Sequence, residues 1–186
     1  MKYILASQSP RRKELMKEIS SSFEVCPSTF DEVVPHDLSI KEQVAKIALE
    51  KGKEVHQKYP HDLVISADTI VVLDNQVIGK PKDKEDAKRI LRLLSGRTHE
   101  VLTAFSLFKD EQIVSDIVQS FVTFNSMSEE LIDEYVESKS PLDKAGAYGV
   151  QDNEKYHFIA GVKGSVKNVI GFPVEEIKEA IKKIEA

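Results

Sequence analysis

Ile4-Leu5-Ala6-Ser7-Gln8-Ser9-Pro10-Arg11-Arg12-Lys13-Glu14-Leu15-Met16 holds a strand, a turn and a helix start in one short run. The apolar residues Tyr3 to Ala6 predict a strand that stops at a polar turn. Ser9 suits an N-cap, because its hydroxyl can accept a free amide of the first helical turn. Pro10 suits the first helical position, where no amide hydrogen is required. Leu15, Met16 and Ile19 then form the inward stripe of a helix.

A helix start presents unpaired N–H groups and the positive end of the dipole, which favour an anion. Two hydroxyls (Ser7, Ser9) and two guanidinium groups (Arg11, Arg12) gather at the same place. Arginine binds phosphate oxygens through parallel N–H bonds. The plainer alternative is a capped helix with two solvated arginines. The preceding strand favours the site, because ligands in α/β folds bind at the carboxyl ends of strands. The turn is therefore read as a polyphosphate site.

Composition narrows the class. The chain has 186 residues, with 41% hydrophobic and 31% charged, which is a soluble, globular balance. No apolar run approaches the roughly 20 residues that cross a bilayer, and the start lacks the basic leader and cleavage site of a signal peptide. Cys26 is the single cysteine, so no internal disulfide forms, and a reducing cytoplasm is expected. Cys26 itself is read as a small buried hydrophobe. The net charge of -5 argues against a nucleic-acid surface, which needs a basic face. It leaves room for a nucleotide, since a few local cations serve one triphosphate.

Downstream, Phe23 to Cys26 reads as a short strand, and Phe30-Asp31-Glu32 falls in a polar loop ending at Pro35. Ser39 to about Lys58 is a helix, with Ser39 and Glu42 spaced as a capping box and Val44, Ile47, Ala48 and Val55 as its stripe. Lys51 lies on that stripe. It either buries its stem and reaches to water or directs its ammonium at a phosphate. Asp62 to Leu73 is the strongest strand signal, nearly continuous in branched apolar residues. Asp68 interrupts it, and a buried carboxylate needs a partner or a purpose. Either the strand ends at Ser66 with Asp68 in a bulge, or rigid backbone holds Asp68 as a general base or metal ligand.

Asp74-Asn75 is a turn, and a short strand runs from it to Ile78. Gly79-Lys80-Pro81 confines Lys80, which balances phosphate charge, lies near Asp68, or is simply solvated. Asp83 caps an amphipathic helix through Ala87, Ile90, Leu91 and Leu94, stopped by Ser95-Gly96. Arg97, Thr98 and His99 are placed in the following turn, His99 in a shaping role. Glu100–Lys109 and Gln112–Asn125 flank Asp110-Glu111 as a hairpin, with Val114, Ile117, Val118, Phe121, Val122 and Phe124 as one core face. A helix begins at Ser128. Pro141 to Gln151 is an irregular glycine-containing loop, and Gln151 offers the acceptor and donors that pair with a pyrimidine edge. Tyr156 to Val162 reads as a strand and Glu175 to Ile184 as the closing helix.

Leu5-Ala6-Ser7-Gln8-Ser9-Pro10-Arg11-Arg12 resembles the N-terminal signature of the Maf family of nucleoside triphosphate pyrophosphatases. Ser66-Ala67-Asp68-Thr69, Gly79-Lys80-Pro81, Leu94 to His99, Asp143 to Gln151 and Asn168 to Pro173 resemble the same family, in the same order. The resemblance implies that Asp68 is the catalytic proton acceptor, with Glu32 an acidic active-site residue and Lys51 and Lys80 catalytic cations. It implies that Thr69 bears on substrate choice, and that Gly-Ala-Tyr-Gly-Val-Gln marks the branch acting on thymidine and uridine triphosphates. Departure begins at Asp152-Asn153-Glu154-Lys155, where the family pattern carries glycine and is about one residue shorter.

The expected fold is α/β, a mixed twisted sheet with flanking helices in two lobes around a central cleft. No linker or repeat is visible, so residues 1–186 are read as one domain. The expected activity is hydrolysis of nucleoside triphosphates, dTTP and UTP favoured, to monophosphate and pyrophosphate. Ser7, Arg11, Arg12, Thr69 and Gln151 would bind substrate. Asp68, Glu32, Lys51 and Lys80 would act in catalysis, with magnesium or manganese on Glu32 and Asp68. A homodimer is implied, with neither nucleic acid nor membrane as partner. The competing readings are a non-catalytic nucleotide-binding regulator of cell division and a pyrophosphatase for non-standard purine or methylated guanosine nucleotides.

Overall fold

A computed structural model describes residues 1–186. Its strands form a seven-stranded mixed sheet in the order β2-β1-β3-β5-β6-β7, with β4 paired to β3. They are β1 (Tyr3–Leu5), β2 (Glu24–Val25), β3 (Leu63–Leu73), β4 (Gln76–Ile78), β5 (Thr98–Lys109), β6 (Gln112–Phe124) and β7 (Ile159–Lys163). The helices are α1 (Pro10–Met16), α2 (Ile40–His56), α3 (Lys84–Leu94), α4 (Glu129–Glu137), α5 (Asn153–Tyr156), α6 (Val166–Ile170) and α7 (Val174–Glu185). The chain falls into two compact units, residues 1–69, 103–118 and 167–186 in the first, 70–102 and 119–166 in the second.

In the first unit β1 pairs in parallel with β2 and with β3, Ile4 opposite Val64 and Leu5 opposite Ile65. Parallel strands are covered on both faces, which is why the β3 run reads as apolar without alternation. Leu5, Leu63, Ile65, Phe105 and Leu107 pack with Phe172, Val174, Ile177 and Ile181 in one core cluster. Ile4, Val64 and Phe108 pack with Val55 of α2 in another, where Cys26 is half-buried. The capping box of α2 forms as the sequence predicts. Gly52 sits where that helix meets the sheet. A Cβ there would lie 2.3 Å from the Phe108 ring and 2.4 Å from Ser66 Oγ.

In the second unit, α3 carries its predicted cap, Asp83 accepting from the Asp86 amide, and buries Ala87, Ile90, Leu91 and Leu94. Gly96 ends it in the left-handed region at φ 68°. An aromatic cluster of Phe124, Tyr135, Tyr148 and Phe158 fills the interior. His99 joins it, its Nε2 2.6 Å from Tyr148 Oη.

The structure corrects the predicted elements at three places. Thr98 and His99 belong to β5 rather than to a turn. Phe121 and Ile117 are not part of the core face: they fall on the opposite side of the strand from Val114, Val118, Val122 and Phe124, and Phe121 is exposed, as the alternation of a strand requires. Tyr156 ends the short helix α5 instead of opening a strand, because His157 takes a left-handed φ of 54° and β7 starts only at Ile159. The hairpin is confirmed. Thr98 Oγ1 meets Thr123 Oγ1 at 2.7 Å and Ser106 Oγ meets Ser115 Oγ at 2.8 Å. Both pairs belong to one register, and a two-residue link allows only antiparallel strands. No helix is long and apolar enough to cross a membrane.

Candidate active site

The N-terminal turn forms as its residues dictate. Ser9 caps α1 by accepting from the Arg12 amide at 3.3 Å, with Pro10 in the first position. The Ser7 side chain is buried and its hydroxyl accepts the Ser9 amide at 3.1 Å. Arg12 is half-buried and turned back onto the protein. Its Nε donates to the Gly171 carbonyl at 2.8 Å and its Nη2 to Thr69 Oγ1 at 3.0 Å. Gly171, at φ 123°, turns the chain after α6 so that this carbonyl meets the guanidinium. Burial pushes the Arg12 pKa down, and the nearby Asp68 carboxylate pulls it back up.

β3 runs without interruption through Asp68, so the strand does not end at Ser66. Asp68 is 8% exposed on this rigid backbone. Its Oδ1 accepts from Lys51 Nζ at 3.2 Å, and the same ammonium lies 2.6 Å from Glu32 Oε1. Lys51 is itself largely buried, whereas Glu32 is exposed on its loop. Thus one cation from α2 gathers two carboxylates that are far apart in the chain. Burial pushes the Asp68 pKa up, although Lys51 and Arg12 oppose the shift. Its proton affinity therefore exceeds that of an ordinary aspartate.

Thr69, next along the strand, is bonded to Thr103 Oγ1 at 2.9 Å as well as to Arg12. Thr103 in turn donates to the Asn168 carbonyl at 3.2 Å. Arg12, Glu32, Lys51, Asp68 and Thr69 are thus brought together within the first unit, where Ser7 also lies, bonded to Ser9 before α1, with Arg11 beside Arg12 on that helix. Lys80 and Gln151 belong to the second unit, and both are exposed. Gln151 sits in a turn closed by the Asp152 amide on the Gly149 carbonyl at 3.0 Å.

Sequence reading missed the Gly171 carbonyl, Thr103 and Glu54. Gly171 lies inside the stretch Asn168 to Pro173, but nothing local marks its carbonyl as a partner for a residue at position 12. Glu54 accepts from Ser28 Oγ at 2.7 Å and from the Thr29 amide at 3.0 Å, anchoring the loop that carries Glu32. Its signal was the spacing: it stands three residues beyond Lys51, on the same side of α2.

No group of three or more His, Cys, Asp or Glu side chains is placed to hold a metal ion. Glu32 and Asp68 nevertheless share one cation, the Lys51 ammonium, so both carboxylates already face a common position. Hard oxygen donors few in number suit magnesium, which is commonly held by one or two carboxylates together with substrate phosphates.

The family described as Maf-like protein matches residues 2–184 of this chain. A dTTP/UTP pyrophosphatase of Bacillus cytotoxicus is 40% identical over 185 residues, covering 100% of this chain and 96% of the relative. A dTTP/UTP pyrophosphatase of Clostridium botulinum is 42% identical over 182 residues, covering 96% of each, and one of Clostridioides difficile is 38% identical over 185. Among solved structures, the Staphylococcus aureus Ham1 protein aligns over 100% of both chains at a TM-score of 0.54 and 14% identity, a likeness of fold. The matched span and these identities place the chain in the Maf-like protein family.

Proposed function

We propose that this chain hydrolyses nucleoside triphosphates to the monophosphate and pyrophosphate, with dTTP and UTP favoured. The observation that carries the reading is Asp68, a buried carboxylate of raised pKa held on rigid backbone against Lys51. Full-length relatives carrying the name dTTP/UTP pyrophosphatase support the substrate class.

Water attacks the α-phosphorus, the bond from that phosphorus to the α–β bridging oxygen breaks, and pyrophosphate leaves. The proton lost by the attacking water passes to Asp68. A base whose pKa is shifted toward the working pH takes that proton more readily. Lys51 holds Asp68 in place and limits how far burial raises its pKa. Positive charge fixed near the phosphates stabilises the charge that develops on their oxygens. Arg11, Arg12, Lys51 and Lys80 supply it, assisted by Ser7 and the amides at the start of α1. Thr69, Gln151 and Arg11 shape the choice of base.

Glu32 and Asp68 would hold a magnesium or manganese ion. When bound, that ion would neutralise phosphate charge and orient the reacting groups. The single cysteine supports a cytoplasmic setting, and one family match over residues 2–184 supports treating the chain as one functional domain.

The test is pyrophosphate release from a panel of nucleoside triphosphates, with and without magnesium or manganese. Release from dTTP and UTP above the purines is expected. Release from purines alone would overturn the base assignment and keep the chemistry. Binding without release from any nucleotide would favour a regulator.

A further inference from the structure

Asp152 opens the segment where this chain leaves the family pattern, and the structure gives it a task. Its Oδ2 accepts from Tyr135 Oη on α4 at 2.6 Å and from Ser140 Oγ at 2.7 Å. The same Tyr135 oxygen accepts the Gly149 amide at 3.0 Å. One buried hydroxyl therefore grips both ends of the turn Gly149-Val150-Gln151-Asp152, whose backbone is closed by Asp152 N–H on the Gly149 carbonyl. Gln151 is the exposed residue between the two grips.

The surrounding residues leave this turn little freedom. Lys144 Nζ donates to the Ser140 carbonyl at 2.6 Å and to Asp143 Oδ1 at 2.9 Å. Its stem lies against Gly149, where an added Cβ would stand 2.9 Å from Lys144 Cε and 3.2 Å from Gln151 Oε1. Tyr135 packs against Phe158 and Tyr156, so the hydroxyl is presented by a ring that cannot swing away. Hydrogen bonds accepted by a carboxylate are roughly twice as strong as neutral ones. A recognition side chain works only if its backbone is held to within about half an ångström by supporting contacts.

We propose that Asp152, acting through Tyr135, is a positioning residue for Gln151, so that discrimination between nucleobases depends on this clamp. The inference rests on the reading of Gln151 as a base-selecting residue. An amide that hydrogen-bonds a pyrimidine edge selects only when its donors and acceptor are fixed in direction. A loosened turn would weaken the preferred substrate toward the level of the others and leave the phosphate chemistry alone.

The experiment compares wild type with Asp152→Ala, Asp152→Asn, Tyr135→Phe and Gln151→Ala. Steady-state kinetics with UTP, dTTP and a purine triphosphate are combined with exchange of the Gly149 amide hydrogen. Asparagine keeps one oxygen for both hydroxyl donors, so Asp152→Asn should stay within about threefold of wild type. Asp152→Ala and Tyr135→Phe should raise KM for the pyrimidine nucleotides roughly tenfold with kcat within about threefold, and should speed Gly149 exchange. Adding Gln151→Ala to Asp152→Ala should cost little more than either alone. The proposal falls if Asp152→Ala lowers activity equally on all nucleotides, or leaves the pyrimidine preference intact while Gln151→Ala abolishes it. If wild type shows no pyrimidine preference, or Gln151→Ala does not change it, base selection by Gln151 fails first and the proposal falls with it.

Discussion

Lys51 Nζ lies 3.2 Å from Asp68 Oδ1, joining a helix to the middle of a buried strand. The pair is not a surface ion pair of negligible effect, because both side chains are largely buried. Burial raises the Asp68 pKa and the ammonium restrains the rise. The site thus holds a carboxylate more avid for a proton than an ordinary aspartate, which suits a general base.

Asp68→Asn separates stability from activity. The folded pKa of Asp68 lies above its ordinary value of 3.8, so folding is disfavoured by its ionisation. The sign follows: stability is fullest below pH 3.8 and is lost as pH rises through the folded pKa. At pH 7 the Asn variant should therefore melt above wild type, the gap closing as pH falls toward 3.8. Its kcat should drop about 10²–10⁴-fold. Melting curves at several pH values and turnover assays check both, and an unchanged kcat would remove Asp68 from the mechanism.

Lys51→Met should move the acidic limb of the kcat/KM profile to higher pH, because the main force holding the Asp68 pKa down is removed. The variant should also lose about 1–3 kcal/mol of stability, the cost of leaving a buried carboxylate with its partner gone. A pH–rate profile whose acidic limb stays in place would mean that the Asp68 ionisation does not limit the rate.

The sequence made legible whatever was local. The Ser9 cap with Pro10 and the Ser39–Glu42 capping box follow from bonds spanning three residues, and both form. Asp68 stood out because a carboxylate breaks an apolar strand. Non-local contacts were not legible: Arg12 meets the carbonyl of Gly171 because parallel pairing and α6 bring them together, and no short pattern encodes that. Phe121 was misplaced for another reason. Consecutive apolar residues 121 and 122 leave the phase of the strand ambiguous until its neighbours are known. Likewise Tyr156 looks like strand material, yet the Asn153 side chain caps the Ile159 amide at 2.7 Å and the backbone turns at His157.

Arg12→Lys should destabilise the first unit as well as weaken substrate binding. An ammonium cannot donate to Gly171 and Thr69 together with the planar geometry of the guanidinium. Losing a charged hydrogen bond costs about 1.5–3 kcal/mol, or roughly 3–12 °C in Tm for a chain of this size. Thermal unfolding checks it, and a Tm within 1 °C or so of wild type would show the clamp to be dispensable.

Glu54→Gln should loosen the loop carrying Glu32. The Ser28 and Thr29 groups hold the Glu54 carboxylate down at about 2, well below its ordinary 4.5. With a depressed pKa, its contribution is present above pH 4.5 and lost as pH falls toward 2. Glutamine offers one acceptor oxygen where the carboxylate uses two. Exchange of the Thr29 amide hydrogen should accelerate roughly threefold to tenfold in the variant. Wild type should show the same acceleration on acidification below about pH 4. Equal protection of Thr29 in both proteins would show that another contact holds the loop.

Gly52→Ala tests how tightly α2 is seated on the sheet. The added methyl would enter the space of the Phe108 ring, which is 1% exposed, and of Ser66 Oγ, which donates to the Ala48 carbonyl at 2.6 Å. Neither neighbour can retreat without losing packing or a buried hydrogen bond, so overpacking should cost about 1–3 kcal/mol despite the better helix propensity of alanine. Lys51 precedes this residue, so a displaced helix would also draw the ammonium from Asp68 and lower kcat. Phe108→Leu alone leaves a cavity, but combined with Gly52→Ala it makes room for the methyl. The double variant should therefore lose less than the sum of the singles, by about 0.5–3 kcal/mol. Strict additivity in denaturant unfolding would show that the strain is relieved elsewhere on α2.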